Sequence, residues 1–255
     1  MIKVVRLSLT PVKSTVLHHP DEIRLEEFGV AEDRRFYLID ERGKLFSGFK
    51  YGPMVRIRAE YDALEERLTL HLPGARAVEG DATSTGEAVT TNFWDERELH
   101  GQLVDGPFNA ALSKYADRPL RLVRCDGPRN ATDVHPVTIM SSASVEELRR
   151  RAGRDEPLDG RRFRMLIEAG GCEPHQEDTW GGQEVRIGEA LIRVLKPVPR
   201  CVVTTQSPDT GVRDFSTLKQ LASYRGITKE RDINFGVYAD VVEPGVIRVG
   251  DKIVV

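Results

Sequence analysis

The 255-residue sequence predicts a strand-dominated α+β fold, barrel-like, with a few peripheral helices. Three observations carry this expectation. Short runs with apolar/polar alternation recur from one end of the chain to the other. Glycine- and proline-containing turns punctuate them. The strands do not alternate with helices in βαβ order, which excludes a doubly wound parallel sheet.

Taken in order, VVRLSLTPVKS opens the chain as a strand over residues 4–9, broken by Pro11, with Lys13 and Ser14 just past the break. An ammonium and a hydroxyl at a loop edge suit a phosphate; an ordinary surface lysine is the alternative. Residues 36–39 form a β-rich run, 41–43 a turn and 44–46 the return, a hairpin signal. Asp33-Arg34-Arg35 stands at its entry, where an arginine either faces an anion or pairs with Asp33. VRIRAEYD from Val55 alternates, and LTLHL at 68–72 answers it as a second hairpin. Residues 74–88, rich in Gly, Ala, Ser and Thr, read as a loop. Residues 108–116 predict a helix stopped at Arg118-Pro119, and 120–123 a strand. The polar segment 125–136, with two prolines and a glycine, marks a boundary between a unit of residues 1–125 and one of 126–255.

Beyond it, VTIM predicts a strand leading into the helix SSASVEELRRRAG. Ser144 and Glu147 have capping-box spacing, and Gly153 is a natural stop. RRFRMLIEAG carries Arg161, Arg162 and Arg164 into an apolar strand. EVRIGEALIRVLKPV is a hairpin turning at Gly188-Glu189 and delivers the chain to PVPRCVVTTQSPDTG, residues 197–211. DFSTLKQLASYRG then shows helical spacing ended by Gly226. The tail returns to strands separated by Glu243-Pro244-Gly245 and Gly250-Asp251.

The proline-flanked segment around Cys201 is where chemistry concentrates. Pro197 and Pro199 oppose helix, and Pro208 and Gly211 punctuate the far side, so Cys201 is presented on a stiff extended chain at the mouth of a loop. A thiolate is both a nucleophile and a soft metal ligand, and the adjacent Arg200 guanidinium favours it over the thiol. A small buried hydrophobe is the bland reading of a lone cysteine.

Composition narrows the field. A net charge of -3 gives no global basic surface, so nucleic-acid binding is not indicated. No apolar run approaches the ~20 residues that span a bilayer, and the N-terminus is too polar for a signal peptide. Three cysteines (Cys125, Cys172 and Cys201) at unrelated spacings point to a reducing, cytoplasmic setting. The Asn130-Ala131-Thr132 sequon is then accidental. No GxGxxG, Walker, HExxH or GxSxG signature occurs. The six histidines are scattered, and Glu177-Asp178 reads as a solvated loop rather than an acid/base pair. What remains is one activated thiol with arginines and lysines in separate segments, a set that suits a large anionic ligand.

At this point a resemblance becomes specific. PVPRCVVTTQSPDTG, with RRFRMLIEAGGCEPHQEDTWGGQEVRIGEALIRV before it, resembles the MOSC domain, the C-terminal domain of molybdenum cofactor sulfurases. VVRLSLTPVKS and the DRRFYLID strand entry resemble the smaller N-terminal β-barrel domain that accompanies it. The characterised relatives of this kind are the mitochondrial amidoxime-reducing components and their bacterial counterparts.

The resemblance implies a molybdenum cofactor, a molybdopterin whose phosphate needs cations. By position, Cys201 would ligate molybdenum and Arg200 would hold both thiolate and pterin. Lys13, Ser14, Arg34 and Arg164 would grip phosphate and pterin, with Ser142 a further contact, and Thr204 and Thr205 would support the cysteine loop. Electrons would come from separate donor proteins, since no room remains after Val255 for an appended ferredoxin-like domain. A small N-hydroxylated molecule would be the substrate. In reductase relatives the RFR segment is followed by proline and asparagine; here Met165 and Leu166 stand there, which removes a polar side chain near the expected cofactor. Pyridoxal phosphate is discounted, because Lys13 is better placed for phosphate than for a Schiff base. Two other functions use the same residues: a sulfur carrier with a persulfide on Cys201, and a cofactor carrier without turnover.

Overall fold

The computed structural model describes residues 1–94, 97–127 and 129–255. Pro128, one of the two prolines of the boundary segment, lies outside the described residues. The first half of the chain runs β1 (Lys3–Leu7), β2 (Glu22–Leu25), β3 (Phe36–Asp40), β4 (Leu45–Phe46), β5 (Arg58–Asp62), β6 (Arg67–His71), β7 (Val78–Asp81), β8 (Ser84–Phe93), β9 (Arg97–Val104), α1 (Phe108–Ala116) and β10 (Leu120–Cys125). The second half runs β11 (Val137–Ser141), α2 (Ser142–Arg151), β12 (Ile167–Gly170), β13 (Glu184–Ile187), β14 (Ala190–Pro199), α3 (Thr217–Arg225), β15 (Asn234–Glu243), β16 (Gly245–Arg248) and β17 (Ile253–Val254). Strands dominate, as the alternation predicts.

A seven-stranded sheet has the order β1-β12-β11-β15-β14-β13-β17. Its two ends meet. Val4 N donates to Asp251 O at 2.9 Å, Ile253 N donates to Ile2 O at 3.0 Å, and Lys3 bridges Lys252. The sheet is thus a nearly closed barrel, which removes most of the bare edge that an open sheet exposes. Val4, Leu7, Ile139, Ile167, Ile192 and Val237 fill its interior. The five-stranded sheet β4-β3-β10-β9-β8 and the three-stranded sheet β5-β6-β7 enclose a second core around Phe36, Leu38, Met54, Leu68 and Phe108.

The two units share strands. β1 pairs antiparallel with β12, and β2 pairs with β16, Leu25 facing Gly245. The chain therefore begins in the large sheet, and residues 12–15 cross to the smaller unit, where Val12 bridges Phe36 and Lys13 N donates to Phe36 O at 2.8 Å. That crossing carries Lys13 and Ser14 to the seam between the units. The seam is tight at a second place. Gly211, at φ +73°, lies so close to Gly52 that a Cβ on it would sit 2.1 Å from a Gly52 backbone atom. Only glycine fits both demands.

Three expectations need correction. Glu177-Asp178 is not a solvated loop: both residues stand in a 3₁₀ turn, Gln176–Trp180, with Glu177 fully buried and Asp178 paired with Arg225. Residues 74–88 are not a loop: β7 extends the β5-β6 hairpin, with Val78 opposite Leu70, and β8 begins at Ser84. Residues 84–88 are exposed, so backbone pairing with β9 makes the strand and no side-chain alternation announces it. The cap of α2 is Ser141, not Ser144. Ser141 Oγ accepts from Ser144 N at 3.0 Å, because the Ser144 hydroxyl is engaged elsewhere, donating to Glu177 and accepting from His175 N. Asn130 of the sequon is buried, with Nδ2 donating to Val30 O and Ala31 O.

Candidate functional site

A cavity of about 530 Å³ opens at the seam, within the range of small-molecule and cofactor sites. Lys13, Ser14, Arg34, Arg164, Arg200, Cys201 and Thr204 line it. The crossing segment, the β3 entry, the turn before β12 and the loop after β14 thus converge on one space. Ser142 and Thr205 do not line it. Ser142, at the start of α2, donates to Ala169 O at 3.3 Å, and Thr205 faces back along its own turn.

The cationic wall is buried and held by backbone carbonyls. Lys13 Nζ donates to Ala131 O at 2.9 Å and to Asp133 Oδ1 at 2.8 Å. Burial lowers the Lys13 pKa, with the Asp133 carboxylate opposing that shift. Ser14 Oγ accepts from Gly48 N at 2.9 Å. Arg34 pairs with Asp33, and its second amino group donates to Arg164 O at 3.1 Å. Arg164 donates to Thr15 O at 2.8 Å. Burial, then the nearby Arg34 guanidinium, lowers the Arg164 pKa. Ser14 (φ +77°), Arg34 (φ +55°) and Arg164 (φ +54°) all have left-handed backbone, which costs a non-glycine residue on the order of 1–2 kcal/mol. Such strain persists where surrounding structure over-determines the position, and functional sites are where it collects.

The thiol sits opposite. Cys201 is exposed and starts a single 3₁₀ turn, Val202–Thr205. Thr204 Oγ1 donates to Cys201 O at 2.9 Å, and Thr205 Oγ1 donates to Val202 O at 2.7 Å, so both threonines tie the turn to the cysteine end. The Thr204 carbonyl in turn accepts from Thr217 Oγ1 at 2.6 Å and from Arg162 Nη1 at 3.1 Å. Arg162 also pairs with Asp214 at 3.2 Å. Arg200 turns its guanidinium toward the Phe163 carbonyl, the Phe163 ring and the Met165 sulfur, the last at 3.3 Å. The Met165 thioether, in the place of the expected proline, therefore holds Arg200, while Leu166, in the place of the expected asparagine, is buried in the barrel core. Burial lowers the Arg200 pKa, and its Nε is buried without a partner.

Charge is left over. Among the described residues, Arg164 and Arg200 have no carboxylate within ion-pair distance, while Lys13, Arg34 and Arg162 each have one. Unpaired buried cations are costly; a cavity lined by them is built to receive an anion. Among the described residues no cluster of three or more His, Cys, Asp or Glu side chains is placed to hold a metal ion. The site offers one thiol and a surplus of positive charge.

Sequence reasoning missed several of the lining residues: Asp133, which pairs with Lys13, the aromatic pair Phe49 and Trp94, and Arg162 as the clamp on the cysteine turn. Arg162 was visible only as one arginine among three. Nothing local marked Asp133, whose partner is 120 residues away.

These features define a class: paired β-barrel units with a thiol and a cation cluster at their shared seam. The model of the MOSC domain matches residues 126–254, and that of the MOSC N-terminal beta barrel domain matches residues 1–110. The chain belongs to the MOSC family. It is 26% identical over 283 residues to mitochondrial amidoxime-reducing component 1 of Xenopus laevis, covering 98% of this chain and 81% of the relative. Human mitochondrial amidoxime-reducing component 1 is 27% identical over 285 residues, covering 98% and 82%. Human mitochondrial amidoxime reducing component 2 is 37% identical over 128 residues, 48% of this chain and 37% of the relative. Among solved structures, the YUAD protein from Bacillus subtilis aligns over 99% of this chain and 94% of its own with a TM-score of 0.46 and 12% identity. Among the described residues no helix is long and apolar enough to cross a membrane.

Proposed function

We propose that this chain is a molybdenum-cofactor oxidoreductase that reduces N-hydroxylated molecules, with Cys201 as the protein's ligand to molybdenum. One observation carries the reading: an exposed thiol and two guanidiniums without carboxylate partners among the described residues, those of Arg164 and Arg200, line the same cavity. The relatives are amidoxime-reducing components by name, which points the same way.

The residues present fit such a group. A pterin phosphate needs charge-assisted donors, and Lys13, Ser14, Arg34 and Arg164 supply ammonium, hydroxyl and guanidinium groups on one wall. Arg200, the residue before the thiol, adds a guanidinium whose Nε has no partner among the described residues. A lone cysteine is a sufficient protein ligand where the metal arrives with its own dithiolene, so the lack of a convergent protein ligand cluster is no obstacle. The cofactor, when bound, supplies the two-electron redox chemistry, and the protein supplies orientation and electrostatics. Overall, an N-hydroxyl group with two electrons and two protons becomes N–H and water. Thr204 and Thr205 fix the Cys201 turn, and Arg162 anchors that turn through the Thr204 carbonyl. Ser142 is left out of this set, since its hydroxyl serves Ala169 O.

The reading includes separate electron-donor proteins, a small-molecule substrate and a cytoplasmic setting, the last resting on three free cysteines. It also keeps 126–255 as the unit that supplies the metal ligand and 1–125 as the unit that supplies Lys13 and Arg34. A sulfur carrier would account for the exposed Cys201 but leaves Arg164 and Arg200 without use.

The deciding experiment expresses wild type and Cys201→Ala in a molybdate-fed host and quantifies molybdenum by elemental mass spectrometry and oxidised pterin by fluorescence. Near-stoichiometric molybdenum in wild type, lost in the variant, is expected, together with reduction of an N-hydroxy substrate by an artificial electron donor. Full molybdenum occupancy without any such reduction would overturn the reductase reading. Absence of both metal and pterin, with persulfide accumulating on Cys201, would replace it with the sulfur carrier.

A further inference from the structure

The cavity has a second character at its mouth. Phe49 and Trp94 line it but remain 53% and 48% exposed, unusual for two large aromatics side by side. Phe49 comes from the turn after β4 and Trp94 from the turn after β8. Their rings meet edge to face, with centroids 6.5 Å apart and planes at 73°. Trp94 also has left-handed backbone, φ +62°, a genuine outlier for a bulky side chain. Its neighbour Phe93 is buried beneath the Lys13 ammonium, at 4.9 Å from ring centroid to Nζ. The indole therefore follows directly on a buried ring that the cationic wall covers. Val134, Phe163 and Val203 continue the apolar lining inward.

We infer that Phe49 and Trp94 form a substrate-selecting corner, which gives this enzyme a preference for N-hydroxylated groups carried on a flat aromatic ring. Two nearly perpendicular rings offer a face to stack on and an edge to meet, the arrangement aromatic ligands favour. The corner lies in the wall of the cavity that Cys201 also lines, so a ring seated there shares its space with the thiol. A protein partner would need a flat apolar surface outside the cavity; these side chains belong to the cavity wall. The inference rests on the reductase reading for its substrate head group and on the corner alone for its ring.

The sequence holds two tryptophans, and Trp180 is buried at 2% exposure, so quenching of the exposed indole reports Trp94 directly, with or without turnover. Titrate the purified protein with benzamidoxime and with acetamidoxime, which share a head group and differ by the ring. Then measure kcat and KM for both on wild type, Trp94→Ala and Phe49→Ala. Saturable quenching by benzamidoxime, much weaker quenching by acetamidoxime, and a roughly tenfold fall in the benzamidoxime-to-acetamidoxime ratio of kcat/KM in each variant are expected, the size of a lost stacking contact. The fall should sit in KM for benzamidoxime rather than in kcat. Equal quenching by both ligands, or a ratio unmoved in both variants, would overturn the corner. A loss confined to assays using a protein electron donor would overturn it too, in favour of a docking surface. Selective quenching without turnover of either compound would sustain the corner and sink the reductase reading instead.

Discussion

The polar cluster at the cavity and the one around Glu177 are finished differently. Around the cavity, Arg164 and Arg200 have no carboxylate partner among the described residues, and three wall residues carry strained backbone. The second cluster, drawn from residues between Ser141 and Arg225, pairs internally. Glu177 Oε1 accepts from Ser141 N at 3.1 Å and Ser144 Oγ at 2.8 Å, His175 Nε2 meets Tyr224 Oη at 3.2 Å, and Asp178 pairs with Arg225 at 2.6 Å. These contacts join β11, α2, α3 and the turn before β13. The second cluster pairs most of its polar groups with one another and so acts as a clasp, although His175 Nδ1, Glu177 Oε2 and Asp178 Oδ1 are buried without a partner among the described residues. The first holds charge in reserve, which stability alone does not explain.

The largest effect that tests this contrast comes from the clasp. Glu177 is fully buried, and Glu177→Ala leaves Ser141 N and the Ser144 hydroxyl without their acceptor at the start of α2. An expected loss of about 3 kcal/mol combines two unsatisfied buried donors with a small cavity. Thermal unfolding should register it as a fall in Tm of roughly 6–12 °C for a chain of this size. A Tm within two or three degrees of wild type would show that the clasp is not closed as described.

The cavity predicts the reverse pattern. Arg164→Gln gives up one hydrogen bond, to Thr15 O, and relieves the repulsion from Arg34. Stability of the cofactor-free protein should change by less than about 1 kcal/mol and in either direction, since the lost bond and the lost repulsion offset each other. Retention of molybdopterin should fall by roughly 10- to 100-fold, the worth of a charge-assisted phosphate contact. Equilibrium dialysis of loaded protein and chemical denaturation of the unloaded form measure the two separately. Equal damage to both would make Arg164 a structural residue like Glu177.

How much of this was legible in the sequence follows from how far each signal reaches. The hairpins at 36–46 and 184–199 were readable because alternation and turn residues act within a few positions. The Cys201 loop was readable because prolines and a thiol are local facts. β7 and β8 were not, since their outer residues are exposed and only pairing with β6 and β9 defines them. Ser141 and Ser144 are the same residue type three positions apart, and only the distant Glu177 decides which one caps α2. Lys13, Ser14, Arg34, Arg164 and Cys201 could be nominated by motif, yet their meeting depends on a crossing between units that no local pattern records. Asp133, Phe49 and Trp94 had no motif at all. Contacts made across more than a hundred residues are written in the fold.

The smallest effect separates the clasp from the cavity by pH. Burial, then the Arg225 guanidinium, pushes the His175 pKa down to about 4. Protonation would put a hydrogen on both ring nitrogens, and Nδ1 is buried with no acceptor. The folded pKa lies below the unfolded value of about 6.5, so the unfolded chain binds more protons between these limits. The His175 contribution is therefore complete above about pH 6.5 and is lost as the pH falls toward 4. Glu177 acts with the opposite sign, since burial raises its pKa and its contribution is lost as pH rises. The wild-type curve mixes the two, and a variant is needed to isolate one. His175 has φ +60°, where asparagine is tolerated, so His175→Asn removes the titration without adding backbone strain. Its stability difference from wild type should shrink by about 1–2 kcal/mol between pH 6.5 and 4, a figure discounted because the ring is only half-buried. Denaturant melts across that interval measure the change. A difference that stays constant with pH would mean that the ring finds an acceptor on protonation and that the clasp is as open as the cavity.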